Sequence, residues 1–193
     1  MRIRRIFRPA PTDPRRWAPF AAGLGAVLTA AALAVALPGD LFGSAPEEQN
    51  WSAPAAEVRV LDGDTLRLGD RVLRLHALEV PERGRATCRG AGGGMQDCAA
   101  AAADLLARLV ADRTVECRVR GRDRHGRALG ICRARGNGTD GVELNASLVA
   151  AGWAVADSAA LPALGPVEAA ARQGGRGLWA PEATPPEAWR RRF

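Results

Sequence analysis

Apolar and polar positions along this chain fall into three regimes. Residues 17–37 form a 21-residue run without a charge, long enough at about 1.5 Å per residue to cross a hydrocarbon core of roughly 30 Å. Residues 38–56 are rich in Pro, Ala, Ser and Glu and have no periodicity, which predicts a flexible linker. Regular spacing begins after that. Val58 and Val60 alternate with Glu57 and Arg59, Leu66 and Leu68 with Thr65 and Arg67, and Val72 to Leu75 resume after Gly69-Asp70, a pattern that predicts a three-strand meander.

Between Asp97 and Ala111, the residues Leu105, Leu106, Leu109 and Val110 stand among alanines at helical spacing, so a helix with one apolar stripe is expected there. Val115, Cys117 and Val119 alternate with Glu116, Arg118 and Arg120, and after Asp123 to Arg127 a return strand runs through Ile131. Five strands interrupted by a helix fit an α+β fold built on an OB-like barrel with about three helices. Beyond a turn over 136–141, Asn145 is expected to cap a short helix whose Leu148 and Val149 face the barrel. A last helix is expected over Glu168 to Gln173. Residues 180–193 contain Pro181, Pro185 and Pro186 and end in three arginines and Phe193, which reads as a loose tail. The domain itself is set at 57–179.

Charge adds an orientation. Six arginines lie within residues 1–16, ahead of the apolar run, whereas the flank from Pro38 to Glu57 carries four acids and no Arg. The positive-inside bias then leaves 1–16 in the cytoplasm and the domain on the extracytoplasmic, periplasmic side. Residues 17–37 serve either as a retained membrane anchor or as a signal segment that is cleaved to release a secreted domain. The net charge of +6 is concentrated in that N-terminus, and from Pro46 onward the excess of Arg over acids is about two. Bulk charge therefore does not argue for polynucleotide binding. All 27 basic side chains are Arg, and no function follows from this.

Cys88, Cys98, Cys117 and Cys132 all lie in the exported part, where an even count favours disulfides. Cys117 and Cys132 are equidistant from a hairpin tip near residues 124 and 125, and opposed hairpin positions are close enough to bridge. The preferred pairing is Cys88 with Cys98 and Cys117 with Cys132.

The candidate chemistry lies in Asp62-Gly63-Asp64-Thr65, Arg74-Leu75, Glu79-Val80-Pro81-Glu82 and Asp123-Arg124-His125-Gly126-Arg127. Carboxylates in such a set can hold a hard cation or act as a base, and paired guanidinium groups can neutralise a phosphate under in-line attack. The ordered set, with Leu148-Val149, Gly152 and Gly177-Leu178-Trp179, resembles the thermonuclease family of the staphylococcal nuclease type over roughly residues 57 to 179. The resemblance implies a nuclease acting on DNA or RNA with Ca²⁺ and leaving a 3′-phosphate. It implies Asp64 as direct metal ligand, Asp62 as a supporting carboxylate, and Glu79 with the backbone carbonyl of Val80 as further ligands. It also implies Glu82 as general base, with Arg74 and Arg127 on the scissile phosphate.

Two positions depart from the family pattern. Glu79 stands where the family has Asp, and the extra methylene moves a carboxylate by more than about 1 Å, a displacement that can cost about a hundredfold in rate. The chain also has no Tyr, so the aromatic pair that stacks a base in many family members is absent. A second reading is therefore kept open, that of a nuclease-like module acting as an extracytoplasmic binding or assembly domain. His76 and His125 are read as surface or turn residues.

Overall fold

A computed structural model describes residues 49–90, 92–136 and 141–190. The basic N-terminus and the apolar run 17–37 lie outside the described residues, as do most of the linker and the last three residues. Among the described residues no helix is long and apolar enough to cross a membrane.

The meander forms as the alternation requires. Strands β2 (Val58–Asp62), β3 (Thr65–Leu68) and β4 (Arg71–Leu75) pair antiparallel in sequence order. Leu66, Leu68, Leu73 and Leu75 are buried, because side chains two apart on a strand share a face. Ahead of the meander lies β1 (Asn50–Ala53), after it come β5 (Leu78–Glu79), β6 (Thr87–Arg89) and β7 (Met95–Asp97), and a long hairpin follows from β8 (Thr114–Arg122) and β9 (Ala128–Arg135). The main sheet runs β1-β8-β9-β4-β3-β2, with β10 (Val142–Glu143) added on β9. The link from hairpin to meander is parallel, Leu73 opposite Ala128 and Arg74 opposite Leu129. The result is a mixed α+β fold in which the five expected strands are β2, β3, β4, β8 and β9, consistent with an OB-like arrangement.

Four helices are seen among the described residues: α1 (Cys98–Val110), α2 (Leu144–Ala150), α3 (Leu164–Gln173) and α4 (Pro186–Trp189). Asp97 caps α1, its Oδ1 accepting from the Ala100 N–H at 2.8 Å, and the apolar stripe buries Ala99, Ala102, Leu106 and Val110. Both disulfides follow the expected pairing. Cys117 and Cys132 are register partners in the β8–β9 hairpin, while Cys88–Cys98 ties β6 to the start of α1.

Three local expectations are corrected. Residues 50–56 are not linker: β1 pairs with β8 and a single 3₁₀ turn covers Ala55–Glu57, because Trp51 and Ala53 bury one face of a short strand. Asn145 is not a cap. It lies inside α2, fully buried, where its Oδ1 accepts from the Cys132 N–H at 3.0 Å and its Nδ2 donates to the carbonyls of His76 at 2.9 Å and Gly130 at 3.2 Å. The tail is not loose through residue 190. Thr184 pairs with Thr87 through two backbone-linked hydrogen bonds of 2.9 and 3.0 Å, Glu182 meets Arg89 at 2.5 Å, and α4 follows with Pro186 buried.

Candidate active site

Strand register brings the two arginines to one place. Leu73 and Leu75 point into the core, so Arg74 between them projects from the opposite face of β4. Ala128 and Gly130 are buried on β9, which sends Arg127 and Leu129 to the side away from them. The parallel β4–β9 pairing then aligns Arg74 with Leu129, and both arginines line a cavity of about 660 Å³. Glu79, Val80 and Glu82 line the same cavity. Ala77, with a left-handed φ of 61°, makes the turn after β4 that carries the chain into β5, where Glu79 pairs with Val155 of β11 (Val155–Ala156).

Asp64 stands just before β3, and because Thr65 is the register partner of Arg74, its carboxylate meets that guanidinium. Arg74 Nη2 lies 2.6 Å from Asp64 Oδ2, and the Thr65 hydroxyl donates to Oδ1 at 2.8 Å. Asp64 is only 6% exposed. Burial pushes its carboxyl above the ordinary value, against the opposing pull of Arg74 and Thr65, and the charge of Asp62 adds to the rise. Asp62 is exposed and accepts from the Gly63 N–H at 2.8 Å. Its effect on the site is through charge.

Arg127 has a partner to which the sequence reading gave no role. Asp123 Oδ2 accepts from Arg127 Nε at 2.7 Å, while Oδ1 accepts from the backbone N–H groups of His125 at 2.8 Å and Arg127 at 2.9 Å. Desolvation, the largest single influence on Asp123, pushes its carboxyl up. The Arg127 side chain, the two N–H groups and the Arg127 charge together outweigh it and hold the carboxyl at about 2. An Asp four residues before an Arg, across a turn containing Gly126 at φ 78°, was the available signal.

Glu82 is exposed in the loop after β5, 3.7 Å from Arg85 Nε. Glu79 is engaged differently from Asp64: its Oε2 accepts from Arg190 Nε at 2.9 Å, a contact across 111 residues that brings the end of the described chain to the cavity. Trp189 and Arg190 are part of the lining. Neither was singled out from the sequence, because nothing in a Pro-rich terminal stretch marks where it docks. His76 also lines the cavity, and burial first, then the charge of Arg120, pushes its imidazole below the ordinary value against the pull of Asp157.

The oxygens of Asp64, Glu79 and the Val80 carbonyl are of the right chemistry for a hard cation. Both carboxylates are paired with a guanidinium, however, and no group of three His, Cys, Asp or Glu able to hold a metal occurs among the described residues. A second cavity of about 650 Å³ against β1, β8 and β9 is lined by Cys117 and Cys132 but by none of the candidate catalytic or metal-binding residues.

The staphylococcal nuclease homologue family matches residues 72–181, a span that includes Arg74, Glu79, Glu82 and Arg127 but neither Asp64 nor the Trp189 and Arg190 that line the cavity. The chain belongs to that family. It is 35% identical over 142 residues to an "Uncharacterized endonuclease" of Escherichia coli, covering 70% of this chain and 83% of that protein. It is 33% identical over 128 residues to the "Succinoglycan biosynthesis protein ExoI" of Rhizobium meliloti strain 1021, covering 64% of this chain and 63% of that one. Family membership and the endonuclease relative support a nuclease-type enzyme with a nucleic-acid substrate. The family's other recurrent feature, the Gly152 and Gly177-Leu178-Trp179 pair, also has a physical basis here. Gly152 O accepts from the Leu178 N–H at 2.8 Å, and a Cβ on Gly152 would lie 2.1 Å from the Arg176 carbonyl oxygen.

Proposed function

We propose that this protein hydrolyses phosphodiester bonds of DNA or RNA in the cavity between β4, β5 and the β8–β9 turn. The observation that carries the reading is the convergence of Arg74, Glu82 and Arg127 on one cavity, with Asp123 orienting Arg127. A phosphate there would meet two guanidinium forks whose geometry suits paired phosphate oxygens. Glu82 takes a proton from water, the water oxygen attacks phosphorus in line, and the phosphorus–oxygen bond to the departing sugar breaks. Arg127 stabilises the negative charge that builds on the leaving oxygen, which takes a proton from solvent and departs as an alcohol while Glu82 returns its proton to solvent.

Calcium dependence is part of the proposal. Asp64, Glu79 and the Val80 carbonyl would hold the ion, which would supply positive charge against the phosphate oxygens. For this Glu79 must exchange Arg190 for the ion, and Asp64 must give up or share its contact with Arg74. The domain is proposed to act on the extracytoplasmic side, attached to the membrane through residues 17–37 or released after cleavage there. The ion pairs on Asp64 and Glu79 favour one other reading, a family member with attenuated chemistry that serves as a binding module.

The test is an assay of single-stranded and double-stranded DNA and RNA in Ca²⁺ and in chelator, with Glu79→Asp alongside the natural chain. Cleavage that requires Ca²⁺ and accelerates in Glu79→Asp is the expected result. Undiminished cleavage in chelator would remove calcium from the account, and binding without cleavage in either condition would establish the module.

A further inference from the structure

Arg190 lines the same cavity as Arg74, Glu82 and Arg127, and several contacts put it there. The segment leading to it is fixed at Thr184 by Thr87 and at Glu182 by Arg89. The chain then turns through α4, and the Arg190 N–H closes it by donating to the Pro186 carbonyl at 2.9 Å. The side chain is 44% exposed, and its recorded contact with Glu79 engages Nε. A guanidinium carries four further N–H bonds on its Nη atoms, arranged as a fork that suits phosphate. Trp189, next to it, packs partly on the core and lines the cavity beside it. Its indole Nε1 is buried and has no acceptor among the described residues, as is also the case for Trp179, so it is the place of the ring in the cavity lining that sets Trp189 apart.

We propose that Trp189 and Arg190 form a nucleotide subsite on the rim of the cavity, Arg190 holding a backbone phosphate adjacent to the scissile one and Trp189 giving a base or sugar an apolar wall. Arg74 and Arg127 serve the reacting phosphate, Arg85 and Arg124 also line the cavity, and Arg190 adds a further guanidinium beside Glu79 of β5. A single aromatic beside a phosphate-binding arginine is the minimal unit for gripping a single strand without reading its sequence. It supplies from the end of the chain a contact that a protein without tyrosine must find elsewhere. The inference rests on the nuclease reading for its substrate class and does not depend on the metal.

The test measures binding of a nuclease-resistant phosphorothioate single strand by the full-length chain in chelator, over a range of salt. Arg190→Ala is expected to weaken binding about tenfold, the loss of one charge-assisted contact. It should also flatten the slope of log affinity against log salt by about 0.7, one phosphate contact on a single strand. Arg190→Lys should restore the slope and only part of the affinity. Trp189→Leu should weaken binding about tenfold with the slope unchanged, and Trp189→Phe should recover most of it. If Trp189→Leu does not fold, Trp189→Phe and the two Arg190 variants carry the test. An unchanged slope in Arg190→Ala overturns the proposal, as does tighter binding, which would make the segment a cover over the cavity. A natural chain that binds no strand in chelator or in Ca²⁺ overturns the nuclease reading as well, whereas one that binds and is matched by its variants overturns this inference alone.

Discussion

Asp123 shows how much of this site depends on a residue that acts through its neighbours. It holds Arg127 through Nε and its own turn through two backbone N–H groups, so it fixes both the guanidinium and the loop that carries it. Because its folded carboxyl sits at about 2, below the ordinary 3.8, its stabilising effect is fully present above about pH 4 and is lost as pH falls through about 2. Asp123→Asn should therefore be less stable than the natural chain at neutral pH, with the two converging below about pH 2 in denaturant titrations. Its kcat should fall by about ten- to a hundredfold from misplacement of Arg127. Equal stability at pH 7 would show that the ion pair contributes nothing. Asp64 differs in sign: burial raises its carboxyl, so charging it works against the fold as pH rises, and Arg74 and Thr65 partly offset that cost.

The elements that position these residues are held by a few contacts with little tolerance. Asn145 joins α2 to β9 and to the turn after β4, and truncating it leaves a buried N–H and two carbonyls without their side-chain partner. Asn145→Ala should cost about 2–4 kcal/mol, read from chemical denaturation; a loss below about 0.5 kcal/mol would mean that water or backbone shifts replace it. The alternation of Leu66, Leu68, Leu73 and Leu75 and the alanine-leucine stripe of α1 were legible in the sequence, because burial on one face of an element leaves a period. The hairpin disulfide was legible from its symmetry about the turn. Asn145 was not, since a polar residue near a helix start reads as a cap until its partners are seen. Strand β1 and helix α4 were hidden for a related reason: four-residue elements among Pro and Ala leave no period, and their stability comes from what they dock against.

At the scale of the molecule, the fold brings together residues from three distant stretches, 74–82, 123–127 and 189–190, at one cavity. The family pattern made the first two legible. The third was invisible because the Arg190 contact with Glu79 spans 111 residues and no motif marks it. That contact also changes what Glu79 means. From sequence it was a lengthened metal ligand, and in the structure its length is used to reach a guanidinium.

Cleavage of a phosphodiester bond in this cavity depends, on the proposed mechanism, on Arg127. That dependence is tested most directly by the single-turnover cleavage rate of a labelled oligonucleotide by the natural chain and by Arg127→Ala, with equal thermal midpoints establishing that both are folded. A loss of about 10²- to 10³-fold is expected in the variant, the effect of removing one donor from the developing negative charge. Cleavage by Arg127→Ala at the natural rate would contradict it.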